Sequence, residues 1–137
     1  MLRYAIAAVI VLAILTFGRA EEKKPVKKAD SVSFQNDVMP IIKNKCLPCH
    51  AEENFNPSEL SLDSYELMKE GGKHGPTFVP GKSKESLLFN KLAEEPPFGG
   101  RMPLNSRKKI KEGKAKWLTQ EEIKSISTWI DQGARNN

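Results

Sequence analysis

Apolar residues recur at helical spacing in two stretches far apart in a 137-residue chain. Phe34, Val38, Ile41 and Ile42 stand at i, i+4, i+7 and i+8, which gathers them on one face of a helix running into Cys46. Pro40 lacks a backbone N–H, so this helix either starts only a few residues before it or has an irregular first turn. The second stretch is the better marked. Thr119 and Glu122 form a capping box, Leu118 and Ile123 stand where a hydrophobic staple would, and Ile123, Ile126, Trp129 and Ile130 make one stripe that Gly133 ends. Trp129 on that stripe reads as core rather than as an electron relay. The two helices are expected to pack against each other.

Shorter helices are predicted between them. One runs from Ser64 to about Glu70, capped by Asp63 with Glu66 as capping-box partner and stopped by Gly71-Gly72. Another runs from Lys84 to about Glu94, capped by Ser83, with Leu87, Leu88 and Leu92 facing inward. Glycine and proline punctuate the rest, around His74 and from Pro96 to Pro103. No strand-length alternation, internal repeat or nucleotide-binding glycine signature is present, so the fold class is all-α.

The ends and the charge refine this. Met1 to Ala20 has a basic start, an apolar run from Tyr4 to Phe17 and a small-x-small end at Gly18-Arg19-Ala20, the pattern of a cleaved export signal; an uncleaved membrane anchor is the alternative. Residues 21–30 are charged and nearly devoid of apolar side chains, a flexible linker, and the domain spans 31–137. The folded part is therefore expected in the periplasm or otherwise exported, touching a membrane only if the signal stays. Loss of the signal removes two arginines and no acid, leaving 20 cations against 17 anions. An excess of three, with few aromatics, does not fit nucleic acid. Arg107 to Lys116 concentrates six basic residues with one acid, Glu112. It reads as a solvated loop, or as a docking patch for an acidic redox partner.

The chemistry sits in Cys46-Leu47-Pro48-Cys49-His50. Both cysteines and one of the two histidines of the chain fall in five consecutive residues, the C-x-x-C-H spacing that attaches a c-type haem. Two thiols add across the vinyl groups, and His50 follows as proximal iron ligand. A structural zinc site wants four soft ligands, and only His74 remains beyond the cluster. A thioredoxin-type dithiol would follow a strand, and a Cys46–Cys49 disulfide leaves His50 without a role. The sixth ligand comes from Met39, Met68, Met102 or His74. Met102, in a kinked glycine- and proline-rich loop far from Cys46, is favoured, with His74 as the competitor.

The order F-x-x-D-V-x-P-I, C-x-x-C-H, L-x-L-x-x-Y, G-G-x-x-G-P, V-P-G-x-x-x-x-S-L-L, M-P, L-T-x-x-E-I and W-I-x-x-G-A, from Phe34 to Ala134, resembles the planctomycete-type cytochrome c domain. The resemblance implies a small helical domain wrapped around one covalent haem c, with Cys46 and Cys49 as attachment sites, His50 as proximal ligand and Met102 as distal ligand. Two strong axial ligands would leave no open site for substrate, so the chain reads as a carrier of single electrons between redox proteins rather than as an enzyme. Two departures stand out: Leu104 replaces a second proline after M-P, and the segment from Met102 to Leu118 is longer and more basic than the pattern. The rival readings are a peroxidase-like haem enzyme with an open distal side, for which His74 is the available acid/base group, and a haem-based sensing module.

Overall fold

The computed structural model describes residues 31–137; the expected signal (1–20) and linker (21–30) lie outside the described residues. Within 31–137 the chain is all-α: it forms helices and loops and no strand, with an isolated bridge between Gly72 and Gly75.

The first helix opens as a π-helical turn, Phe34–Val38, and continues as α1, Met39–Lys45. Val38 N donates to Ser33 O and Met39 N to Phe34 O, each five residues back. Pro40 accounts for the widened turn. In a regular helix residue 40 would donate to residue 36, and the proline ring would instead press on that carbonyl. The irregular start expected from Pro40 is thus what forms. Then follow α2 (Leu47–His50), α3 (Tyr65–Glu70), a 3₁₀ turn (Ser83–Glu85), α4 (Leu87–Asn90), α5 (Arg107–Lys111) and α6 (Gln120–Asp131).

The first and last helices pack as their stripes require. Phe34, Val38 and Ile42 are buried against Ile126, Trp129 and Ile130. Trp129, 1% exposed, lies 5.2 Å from the Phe34 ring and 5.0 Å from the Phe78 ring, and its indole N–H donates to Arg135 O at 2.8 Å. Each such side chain contributes about 1.5–3 kcal/mol on burial. The C-terminus also caps the first helix: Gln35 N donates to Asn137 O at 2.9 Å and Phe34 N to Asn137 Oδ1 at 3.0 Å. Thr119 and Glu122 make the reciprocal capping box of α6.

Three local expectations are corrected. Ser64, not Asp63, caps α3, its hydroxyl accepting from Leu67 N at 3.2 Å; the Asp63 carboxylate instead accepts from Glu52 N at 2.7 Å. The helix expected from Lys84 to Glu94 is broken at Ser86, which is extended (φ −88°, ψ 128°). Ser83 does not cap it: its N–H and hydroxyl both donate to the Asp131 carboxylate, at 2.8 and 3.0 Å, tying this segment to α6. The basic segment is not all loop, since Ser106 caps α5, Arg107–Lys111.

Candidate cofactor site

The first helix delivers the C-x-x-C-H turn directly. Cys46 N donates to Ile42 O at 2.8 Å, and Cys49 N and His50 N both donate to Cys46 O, at 3.0 and 2.9 Å. Pro48 stands in the first turn of α2, where a missing N–H costs nothing. Both thiols are free, Cys46 half-buried and Cys49 exposed. Burial, reinforced by Cys49, pushes the Cys46 thiol up to about 12, so it is neutral at ordinary pH. Among the described residues no group of three or more His, Cys, Asp or Glu side chains is gathered closely enough to hold a metal ion.

His50 is oriented by the segment that follows. Its Nδ1 lies 3.2 Å from Leu60 O, and Leu62 N donates to His50 O at 2.9 Å. A carbonyl only accepts, so the ring proton sits on Nδ1 and the Nε2 lone pair is left for a metal.

A cavity of about 790 Å³ opens beside this turn. Cys46, Cys49, His50, His74 and Met102 all line it, along with Leu60, Leu62, Leu87, Leu88 and Leu92. Its volume is in the range of cofactor sites, and its wall is leucine-rich with a few convergent polar groups. Lys45 and Lys91 also line it, and no Asp or Glu does. A flat apolar ring carrying two carboxylates fits this wall in size, polarity and sign of charge, so the residues present fit a haem.

Two of the four candidates for a sixth ligand line the cavity and two do not. Met39 and Met68 are buried in the core and absent from the cavity wall. Met102 is half-buried on that wall, its N–H donating to Lys91 O at 2.8 Å. His74 is exposed at the wall, its ring 4.3 Å from that of Phe98. Lys91, which sequence reasoning passed over, has its ammonium against the Phe98 carbonyl and 4.5 Å from the ring centroid. Burial lowers its pKa. Nothing in a lysine at helical spacing marks it in advance, because its place depends on how the 98–102 loop folds back.

Residues 46–103 match the family model of planctomycete cytochrome c. Over these residues the chain is similar to the planctomycete cytochrome c family. The match starts at the first cysteine and ends at the proline after Met102, so it contains the whole C-x-x-C-H turn and the methionine loop. The basic segment Arg107 to Lys116 and α6 lie beyond the match. None of the curated proteins matches the chain. Among solved structures the chain is similar to a chain of Kuenenia stuttgartiensis hydrazine synthase, at 29% identity and a TM-score of 0.46, over 75% of this chain. The similarity spans only 16% of that larger chain. Among the described residues no helix is long and apolar enough to cross a membrane.

Proposed function

We propose that the domain is a monohaem c-type cytochrome that carries single electrons between redox proteins outside the cytoplasm. What supports this most is the convergence of the Cys46–His50 turn and Met102, far along the chain from it, on one acid-free cavity. Cytochromes c are typically exported, in keeping with the reading of residues 1–20 as a signal. When bound, haem c supplies an iron that cycles between ferric and ferrous states. Cys46 and Cys49 tether the ring as thioethers, and His50 holds the iron through Nε2 while the Leu60 carbonyl fixes its proton on Nδ1. Met102 offers a soft thioether that favours the ferrous state. The leucines of the wall limit water.

The reading predicts one haem mass on the mature protein and a sulfur-to-iron charge-transfer band in its oxidised spectrum. Met102→Ala abolishes that band and His74→Ala keeps it. The reverse pattern moves the distal ligand to His74, and colourless matured protein removes the cytochrome reading. His74 at the cavity wall is the one observation on the side of an enzyme; high-spin iron with rapid cyanide binding in the wild type would establish that alternative.

The redox partners are proposed to dock at Arg107 to Lys116. Residues 105–116 close on themselves, Lys116 N donating to Asn105 Oδ1 at 3.1 Å and Lys114 N to Lys109 O at 2.8 Å. Glu112, the only acid, is paired with Lys114 at 2.9 Å. Just before this loop, Pro103 and Leu104 belong to the cavity wall. A self-closed basic segment thus follows the cavity wall directly in the chain, and from there it would steer an acidic surface.

A further inference from the structure

The cavity wall presents two cations and no anion, and only one of the cations is already compensated. Lys45 Nζ has Glu122 Oε2 at 3.4 Å and stands next to Cys46. Lys91 has no acid among the described residues. Its ammonium, on the solvent-accessible side of the wall, rests on the carbonyl and the ring face of Phe98, both neutral. An ammonium has three donors, and Phe98 O takes one. The other two donors of this cation remain free for an anion that enters the cavity.

The chemistry of haem says which end of the cavity matters. Its two carboxylates lie on the ring edge away from the vinyl groups. The vinyl groups are the points that Cys46 and Cys49 capture, so Lys45 belongs to the vinyl end. We propose that Lys91 is the counter-ion of a haem propionate, donating its free N–H groups to the carboxylate. The proposal rests on the haem reading above. It makes Lys91 a positioning residue with two attachments, because its main-chain carbonyl already receives the Met102 N–H at 2.8 Å. One residue at the end of α4 then ties together the anionic edge of the ring and the loop that presents the distal thioether.

The decisive experiment is a crystal structure of the matured, haem-bearing wild-type protein. The expected result is Lys91 Nζ about 3 Å from a propionate oxygen. Propionates turned elsewhere, with Nζ still on Phe98 alone, overturn the assignment while leaving the cytochrome intact; protein without haem brings down the parent reading instead. Potentiometry at one fixed pH gives a second reading. Lys91→Met lowers the reduction equilibrium constant by about threefold, the size expected of one partly exposed charge. Lys91→Arg restores it, and Lys45→Met, which removes a cation already paired, changes it less. The charge-transfer band persists in all three if the Met102 loop holds. Equal shifts for Lys91→Met and Lys45→Met, or no rescue by arginine, count against the proposal.

Discussion

The two halves of the domain are finished to different degrees. Where the first helix meets α6, the protein completes itself. Phe34, Val38, Ile42, Ile126, Trp129 and Ile130 bury one another, the indole finds a carbonyl partner, and Asn137 caps the first helix. Around the cavity the same chain leaves apolar groups outside. Phe55 is 95% exposed and Leu104 68%, both on the cavity wall. Thr77, on the same wall, has a buried hydroxyl with no partner. One half is a closed protein core; the other surrounds an open, leucine-walled cavity, which is where the proposed haem would complete it.

The most drastic way to test that contrast is to deny the cavity its ring. Cys46→Ala together with Cys49→Ala yields protein with no covalently added mass and no haem colour. Hydrogen exchange then shows fast amides across the cavity loops, residues 51–62 and 96–104. Amides of the first helix and α6 stay measurably slower, since local openings follow the local supply of buried contacts. Uniform protection would break the comparison, because it would mean that the loops hold themselves.

The opposite half is attacked through Trp129. Trp129→Ala removes the side chain shared by Phe34 and Phe78 and costs about 3–5 kcal/mol. Chemical denaturation followed by the visible spectrum measures it. The charge-transfer band of the folded fraction does not move, since Trp129 is absent from the cavity wall. A spectral shift at low denaturant would show that core and site are not separable.

These two halves were also unequally legible. The terminal helices could be read because each writes its burial into a stripe: Phe34-Val38-Ile42 and Ile126-Trp129-Ile130 need only the helical period to be found. C-x-x-C-H was legible because thioether chemistry dictates its spacing. Met102 is favoured among four candidates from its loop, and it shares the cavity wall with its competitor His74. What stayed hidden depends on long-range hydrogen bonding. Ser83 has the composition of a cap, but the Asp131 carboxylate 48 residues away takes both its N–H and its hydroxyl. Asp63 is likewise drawn off by Glu52 N. The α5 helix has no buried residue and so no stripe; a serine cap and a closing turn hold it.

A finer probe of the helical half is its capping box. In Thr119→Ala the hydroxyl that accepts from Glu122 N at 3.2 Å is lost, and the Glu122 carboxylate keeps its bond from residue 119 N. A loss of about 1 kcal/mol is expected. Since Glu122 also holds Lys45 at 3.4 Å, beside Cys46, Glu122→Gln weakens a second, partly exposed contact worth about 0–1 kcal/mol. Denaturation midpoints of the two variants separate the cap from the ion pair.

The smallest effect on stability is expected where the effect on partners is proposed to be greatest. Lys108, Lys109 and Lys111 are exposed, and none has an acid partner among the described residues. Changing all three to glutamate leaves the cap at Ser106 and the closing bond to Asn105 in place, because both use backbone donors. Each substitution therefore shifts stability within about 0.5 kcal/mol. Local charge changes by six units, so electron exchange with anionic ferricyanide slows by about tenfold or more at low ionic strength, and the difference fades as salt is added. A cationic cobalt complex shows the opposite sign. Rates that ignore both the substitutions and the salt would leave α5 a solvated ornament and move the docking surface to the exposed apolar rim formed by Phe55 and Leu104.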